Sequence, residues 1–390
     1  MNVKNHLKDM NILKENSKLL LLIVFIFAFS QSQGQDNSSK DSEAETVKVR
    51  PFQLSVVPGF GTSRGPKEGY TNQFSLNLLI GYEHSLDGAE FGGLYNINRY
   101  DVKGAQFGGL ANTLGGNLKG AQFSGIINTV GGSVNGFQYS GIMNVTLEEV
   151  QGGQVSGHLN IADSIHGAQI SGLINISKRG VKGAQVAGIG NWAKDVEGAQ
   201  VSGIINRAKY VKGTQIGLIN FADSIENGVA VGLINFVKKG KFQLAVEHNE
   251  VIDYNLALRT GTNKLYSVLF AGAQAKKDYL WTYGFGFGTE FNLKKQWNSS
   301  IELTSQSIHQ KDDHYEDLNL LNRLSWNFGY QFANHLAFSA GPVLNVYVTD
   351  LYDRETGKYG NDIDLGSFYN ETYSNTNVKM WIGYNVSIKF

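Results

Sequence analysis

The sequence predicts an all-β protein: an antiparallel β-barrel of about ten strands that carries an inserted repeat domain. Three observations lead to this fold class. The 390 residues include 47 Gly, only 4 Pro and 12% aromatic residues, which is typical of β-proteins with many tight turns. Apolar residues alternate with polar or small ones near both ends of the chain. A short unit also recurs ten times between residues 88 and 235.

Charge and cysteine content exclude several classes of function. The formal net charge is zero, so nothing indicates a nucleic-acid-binding surface. The sequence contains no Cys, which excludes disulfides, thiolate chemistry and Cys-bearing zinc sites. We therefore expect neither a nucleic-acid partner nor a cofactor.

The N-terminal segment has the features of an export signal. Leu19 to Phe29 is an apolar run preceded by Lys14 and Lys18. The run is too short to span a bilayer as a helix but suits the apolar region of a secretory signal peptide. We predict a cleaved signal peptide over residues 1–34, followed by a polar, disordered tail over residues 35–50.

The C-terminal segment shows the strictest alternation. From Val378 to Phe390 every even-numbered residue is apolar, whereas the odd-numbered ones are mostly polar or small. Because successive side chains of a strand point to opposite faces, one face would be apolar. The segment resembles the C-terminal assembly signal of bacterial outer-membrane barrels, carried here by Tyr384, Val386, Ile388 and Phe390. This resemblance implies an outer-membrane location, with membrane lipid and the barrel-assembly machinery as partners.

Similar alternation upstream predicts the remaining barrel strands. Two fall in residues 51–84, before the repeat, and the other eight fall in residues 241–390. With the C-terminus in the periplasm, the longer connections lie outside the cell and the tight turns lie in the periplasm, as is usual for such barrels. The longer connections are 61–72, 309–318 and 349–376, and the tight turns are 260–263, 292–296 and 333–334.

The repeat domain, residues 88–240, is built from a unit close to G-A-Q-φ-S-G-φ-φ-N, with a period of 15 or 16 residues. Such a short unit cannot bury a face alone, so neighbouring units must stack. We favour a parallel β-solenoid, in which each coil adds about 4.8 Å. The alternative is one larger barrel of about twenty strands, with one repeat for each strand.

An unbroken asparagine column is the main candidate feature of this domain. In a solenoid the amides would stack and satisfy one another as a structural ladder. We expect the interior to be filled by the residue after each Gln (Phe107, Phe123, Tyr139, Val155 and Ile170) and by the Val or Ile preceding each first Gly. The asparagines are Asn96, Asn112, Asn128, Asn144, Asn160, Asn175, Asn191, Asn206, Asn220 and Asn235.

The repeat resembles that of bacterial surface-repeat proteins with tandem G-x-Q-x-S-G-x-x-N units, a family of unknown function. The resemblance covers the repeat block alone and implies no activity. Because the repeat follows the second predicted strand, we expect it on the periplasmic side, with surface display as the alternative.

Isolated polar clusters give little indication of chemistry. His309 and His314 share a predicted loop with several acidic residues, and Asp350, Asp353, Asp362 and Asp364 lie in the longest loop; we interpret both as solvated loops rather than metal sites. His158 takes an apolar position of the repeat. No Ser/His/Asp set has diagnostic spacing, so we expect no catalytic residue.

These observations favour a non-catalytic structural or interaction protein, of the binding or adhesion type, anchored in the outer membrane. The first alternative is an outer-membrane channel or transport protein, and the second is an outer-membrane lipid-modifying enzyme.

Overall fold

The structure is a computed structural model that describes residues 48–62, 69–274, 280–309, 318–333, 336–353, 358–359 and 366–390. The expected signal peptide, most of the expected tail, and His314, Asp362 and Asp364 lie outside these ranges. The described residues form β-strands and turns, without a helix. None of them therefore forms a helix that could cross a membrane. The chain divides into two compact units, Met1–Ser133 and Val134–Phe390.

The first unit is built from parallel strands that repeat from coil to coil. Equivalent residues pair in register: Gly88 with Gly104 and Gly104 with Gly120 on the longer strands, and Asn96 with Asn112 on the shorter ones. Each coil thus contributes one long and one short strand. The strands are β1 (Lys48–Val57), β2 (Phe60–Gly61), β3 (Tyr70–Asn77), β4 (Ile80–Glu83), β5 (Ser85–Gly92), β6 (Tyr95–Asn98), β7 (Val102–Gly108), β8 (Ala111–Leu114), β9 (Leu118–Ser124) and β10 (Ile127–Val130).

The strands that precede the repeat differ from the expectation. Residues 51–84 were expected to supply two antiparallel barrel strands, but β1 pairs in parallel with β3, and β3 pairs in parallel with β5. The alternating pattern is common to both kinds of strand and does not specify the neighbour. Parallel coils therefore begin before the first copy of the repeat.

The second unit continues the same pattern over residues 134–237. Equivalent positions again pair in register, for example Gly183 with Gly198 and Asn191 with Asn206. The strands are β11 (Val134–Ser140), β12 (Met143–Thr146), β13 (Glu149–Ser156), β14 (Leu159–Ser171), β15 (Ile174–Ala187), β16 (Gly190–Trp192), β17 (Asp195–Ser202), β18 (Ile205–Arg207), β19 (Tyr210–Ile216), β20 (Ile219–Ala222), β21 (Ser224–Glu226), β22 (Ala230–Val231) and β23 (Ile234–Val237).

The prediction of a parallel β-solenoid is confirmed, with about ten turns whose strands fall in both units. In the alternative barrel of about twenty strands, successive repeats would pair antiparallel. The observed pairing of repeats is parallel, so this alternative is not the one that the chain adopts.

Residues 241–390 form a separate antiparallel sheet. Its strand order is β24-β25-β26-β27-β28-β29-β30-β34-β33, and β24 also pairs with β34, so that the sheet closes on itself. We refer to it as the closed sheet. Its strands are β24 (Lys241–Asn249), β25 (Tyr254–Gly261), β26 (Tyr266–Ala273), β27 (Trp281–Lys294), β28 (Trp297–His309), β29 (Asn319–Ala333), β30 (Leu336–Thr349), β33 (Tyr369–Tyr373) and β34 (Thr376–Lys389); β31 (Tyr352–Asp353) and β32 (Lys358–Tyr359) form a small hairpin.

The two faces of the closed sheet differ in polarity. On β34, Ile382 is 71% exposed and Ile388 is also exposed, whereas the alternate residues Ser387 and Lys389 are buried. The same division recurs on β29, where Trp326 is exposed and Arg323 is buried. The outside of the sheet is therefore apolar, and its interior carries most of the polar side chains.

Candidate functional site

The middle of the closed sheet is occupied by a cluster of ion pairs. The Arg259 guanidinium donates from Nε to Oε1 of Glu302 at 2.7 Å and from Nη2 to Oε2 at 2.9 Å. Nη2 also donates to Oε1 of Glu247 at 2.5 Å, and the Tyr266 hydroxyl donates to Glu302 at 2.8 Å. All four side chains are buried. A buried charge is tolerated only when it is paired in this manner, so the cluster acts as a polar filling of the interior.

The end of the sheet reached by the longer connections is filled by apolar side chains. Val251 and Ile252 fold inward from the turn between β24 and β25 and join a buried cluster with Leu280, Ile308, Leu321, Tyr347 and Trp381. Beside it, Glu250 accepts hydrogen bonds from Asn345 Nδ2 at 2.7 Å and Trp381 Nε1 at 3.0 Å. Apolar side chains of the sheet thus occupy the interior at this end.

One small cavity lies beside the ion pairs. The cavity beside the ion pairs, lined by residues that include Glu247, Glu302 and Arg323, has a volume of about 10 Å³. That is about the space needed by one water molecule. A solute larger than water would not fit in this cavity.

The last coil of the solenoid covers the other end of the closed sheet, where β25 turns into β26. The amide nitrogen of Asn235 donates to Oγ1 of Thr260 at 3.0 Å, and its Nδ2 donates to Oγ of Ser267 at 2.8 Å. Ser267 in turn donates to the carbonyl of Gly232 at 2.5 Å. Nearby, Lys241 and Glu290 form a buried ion pair of 2.7 Å. Three hydrogen bonds thus join the solenoid to the interior face of the sheet.

The structure buries the predicted asparagines completely and joins them into columns. Within the second unit, Nδ2 of each Asn donates to Oδ1 of the Asn one coil later, from Asn144 through to Asn235, at 2.8 to 3.0 Å. In the first unit, Asn96 donates to Asn112 and Asn112 to Asn128, each at 2.9 Å. Each Asn also has a backbone acceptor in reach, such as the carbonyl of Val186 for Asn175 at 2.7 Å. No Asn of these columns is exposed, so they stabilise the coils rather than offer a polar binding surface.

A column of glutamines lies beside the asparagine column, and its hydrogen bonds point in the opposite direction along the chain. Gln154 donates to Gln138, and every later glutamine donates to the preceding one, at 2.8 Å, as far as Gln215. The asparagines donate toward the C-terminus and the glutamines toward the N-terminus. Burial of these amides is possible because each donor reaches an acceptor in the adjacent coil.

The expectation about the solenoid interior was partly wrong. Val102, Val150 and Val181 are buried as expected, but Phe107 and Tyr139, which follow a Gln, point outward and are 37% and 48% exposed. Strict alternation from the buried Val places Gln inside and the next residue outside. The amide ladder makes the Gln burial possible, so the apolar residue does not need to take the interior position.

These outward residues form an apolar edge on each unit. It lies at the turn between the long and the short strand of each coil, and His158 takes one of its positions. Exposed apolar residues that recur from coil to coil in this way are typical of an interaction surface. The apolar edge of the second unit consists mainly of Tyr139, Ile142, Ile170, Leu173, Val186, Ile189, Ile204, Ile216, Leu218 and Leu233.

Two buried carboxyl groups in the first unit were missed by the sequence analysis. Glu90 takes the position of the glutamine column and accepts hydrogen bonds from Gln106 at 2.8 Å, Asn98 at 2.6 Å and Asn77 at 2.9 Å. Burial, together with the nearby Glu83, raises the pKa of Glu90 to about 8. Burial also raises the pKa of Glu83. Glu90 could have been found from the sequence, because it stands where the next repeats have Gln.

The polar positions singled out in the sequence do not form a shared site. His309 stacks on Trp281 with ring centroids 4.4 Å apart and contacts Oγ of Ser307 at 2.9 Å. His158 is exposed on the apolar edge. Over the part of the chain that the structure describes, no three His, Asp or Glu side chains group as metal ligands would. The C-terminal residues Tyr384, Val386, Ile388 and Phe390 lie on the outer face of β34 and its end.

Comparison with known proteins gives no match: no protein-family model, no curated protein and no solved structure aligns significantly with the chain. The interpretation of its function therefore depends on the geometry alone.

Proposed function

We propose that this protein is a non-catalytic structural or interaction protein, anchored in the outer membrane by a β-barrel and presenting a β-solenoid on the periplasmic side. The observation that carries the proposal is a closed sheet whose exterior is apolar and whose interior holds buried ion pairs and apolar side chains, covered at one end by the solenoid. These features favour a membrane anchor over a channel.

The polarity of the closed sheet supports a membrane location. A soluble barrel would place apolar residues inside, whereas a transmembrane barrel reverses this arrangement. Here Leu303, Trp326 and Ile382 are exposed, while Arg259, Glu302 and Asn385 are buried. Eight strands (β24 to β30 and β34) pair around the ring, a number known among small membrane barrels whose interiors are filled by side chains.

The connections support the periplasmic placement of the solenoid. The C-terminal residue Phe390 and the turns after β25 and β27 lie at the end of the sheet where β24 begins, and the solenoid enters there. In outer-membrane barrels the short turns face the periplasm. The solenoid would therefore project into the periplasm and offer its apolar edge to a partner.

Membrane fractionation and single-channel recording test the anchor. The proposal expects the protein in the outer-membrane fraction after alkaline extraction, with a folded form that shifts in gel mobility on heating. Reconstituted into planar bilayers, it should give no stable conductance steps, because the interior is filled. Reproducible ion-conducting steps would instead favour the channel alternative.

Single cysteines test the side of the membrane. Since the chain has no native Cys, Lys182→Cys, Glu197→Cys and Lys212→Cys place one thiol on each of three successive coils. Protection of all three from a membrane-impermeant maleimide on intact cells, with labelling after outer-membrane permeabilisation, supports the periplasmic placement. Labelling on intact cells would instead indicate surface display.

A further inference from the structure

A groove of about 1080 Å³ lies where the last coils of the solenoid meet the first strand of the closed sheet. Aromatic side chains line part of it. Phe221 stacks on Phe236 with ring centroids 5.1 Å apart, and Phe236 stacks on Phe242 at 6.1 Å. Trp192 also lines the groove. The aromatic surface thus runs without interruption from two coils of the solenoid onto β24.

The rest of the lining is strongly basic. Five cationic side chains border the groove, against the single carboxylate of Asp223; they are Lys178, Lys194, Arg207, Lys209 and Lys238. The backbone aligns two of them, Lys194 and Lys209, in successive coils, because the amide of Lys209 donates to the carbonyl of Lys194 at 2.8 Å; Asp223 takes the same place one coil later, where its amide donates to the carbonyl of Lys209 at 2.8 Å. Adjacent coils are about 4.8 Å apart, so the charges of Lys194 and Lys209 repel one another.

The part of the chain that the structure describes leaves these cations without a carboxylate partner. Within the described ranges, none of the five forms an ion pair with a carboxylate. Neighbouring cations outside the groove are paired: Lys212 contacts Glu197 at 2.8 Å, and Arg179 contacts Asp163. A stack of unpaired cations over an aromatic surface suits a ligand that combines negative charge with an apolar part.

The apolar part has a defined direction. Phe242 is 64% exposed on the outer face of the closed sheet, and Leu244 and Val246 continue that face along β24. A hydrocarbon chain leaving the groove over Phe242 would therefore follow the apolar exterior of the sheet. A free inorganic anion or an acidic glycan has no group that would use this surface.

We propose that this groove binds an anionic membrane phospholipid, with its phosphate over the stacked lysines and its acyl chains along Phe242 and Leu244. The inference rests on the proposed membrane anchor, which places the groove at the level of the lipid headgroups. The bound lipid would neutralise the lysine stack and hold the last coils against the membrane surface.

The test measures lipid binding by the purified full-length protein in detergent micelles. Phosphatidylglycerol and phosphatidylcholine with the same acyl chains are added in turn, and the lipid retained is quantified by native mass spectrometry. We expect clear preference for phosphatidylglycerol. In Lys194→Gln/Lys209→Gln we expect the affinity for it to fall roughly 30-fold, since each basic residue near a lipid surface contributes on the order of a fivefold effect.

Lys103→Gln/Lys119→Gln is the matched control, because it removes the same charge from exposed positions of the first unit. It should bind as the unchanged protein does. Equal retention of both lipids, or equal loss in the control, would overturn the proposal. Displacement of the lipid by 50 mM inorganic phosphate would also overturn it, by showing a site for free anions.

A second pair of variants separates the acyl contact from the charge. Phe242→Ser should weaken lipid retention without altering the lysines, whereas Phe332→Ser, an exposed position on β29, should not. Gel mobility before and after heating shows whether each variant is folded. Fractionation is measured separately: a protein absent from the outer membrane that still selects phosphatidylglycerol would refute the anchor but not the lipid site.

Discussion

Nδ2 of Asn235 donates a hydrogen bond of 2.8 Å to Oγ of Ser267, so the asparagine column of the solenoid ends on the closed sheet rather than in water. A ladder of amides leaves an unused donor at its last member unless something accepts it. Here the acceptor belongs to the interior face of β26, and Ser267 passes the interaction on to Gly232. The junction between solenoid and sheet is therefore a buried polar contact with fixed geometry.

Replacing Asn235 should loosen this junction. Asn235→Leu removes the acceptor of Asn220 and the donor to Ser267, and a buried polar group left without a partner costs about 1 to 3 kcal/mol. We expect faster limited proteolysis near Lys238 to Gly240 and a lower unfolding temperature by circular dichroism. Lys182→Leu, at an exposed position on an earlier coil, is the control. Unchanged proteolysis in Asn235→Leu would show that the contact is not important for the junction.

The first Gly of each unit should tolerate no side chain. Gly183 has a φ of +130°, and a Cβ there would lie 2.0 Å from the carbonyl oxygen of Gly167 in the preceding coil. We expect Gly183→Ala to destabilise the solenoid by about 3 kcal/mol or more, because strain and a backbone clash add. Gly180→Ala is the control, since its Cβ would meet a carbonyl oxygen only at 3.0 Å. Comparable unfolding temperatures for the two variants would contradict the assignment.

The first unit should lose stability as the pH rises. The pKa of Glu90, 4.5 in its ordinary state, is raised to about 8 by burial and by Glu83, so the folded chain holds a proton that the unfolded chain releases. The resulting stabilisation is complete below pH 4.5 and disappears as the pH approaches 8, with a slope of up to about 1.4 kcal/mol for each pH unit. Thermal unfolding between pH 5 and 9 should therefore show a falling midpoint.

Glu90→Gln is the matched variant, because it keeps the ladder position and removes the titration. We expect a flatter dependence on pH and greater stability at pH 8 than in the unchanged protein. Asp87→Asn, an exposed position on the same strand, should behave like the unchanged protein. Lower stability of Glu90→Gln at pH 8 would show that the pKa of Glu90 is not raised, and the prediction would be wrong.

The ion pairs of the closed sheet should be sensitive to the loss of one partner. Arg259→Met leaves Glu302 and Glu247 buried without their cation, which typically costs 3–5 kcal/mol, so about that loss is expected here. The folded form should convert to the unfolded form at a lower temperature in the gel-shift assay. Adding Glu302→Gln should recover part of the loss. Lys264→Met, on an exposed turn, should have no effect, and a similar null result for Arg259→Met would be evidence against the cluster's role.

The parallel solenoid could be predicted from the sequence because the same residue types recur at the same positions of each repeat. Ten buried asparagines at intervals of 14 to 16 residues are satisfied by stacking, and the parallel pairing of Asn191 with Asn206 follows. The strands before the repeat were harder, because Phe52, Leu54 and Val56 alternate in the same way whether their neighbour is parallel or antiparallel.

The candidate sites were more difficult to predict. Lys194 and Lys209 lie in turns and belong to no motif, and they come together beside Phe221 only because successive coils of the solenoid are adjacent. The pairing of Arg259 with Glu302 joins residues 43 positions apart, which no local pattern specifies. Only Glu90 could have been noticed in the sequence, because it replaces the glutamine found at this position in the next repeats.

The apolar edge should be covered in the cell if it is an interaction surface. Ile189 belongs to the apolar edge of the second unit, whereas Lys182 lies on β15 outside that edge, and both are exposed in the isolated chain. In permeabilised cells we expect the thiol of Ile189→Cys to react with maleimide several-fold more slowly than that of Lys182→Cys, because a partner excludes the reagent from the apolar side. In the purified, detergent-solubilised protein the two rates should become similar. Equal rates in both preparations would show that nothing covers the edge, and the solenoid would then act as a spacer rather than as a contact surface.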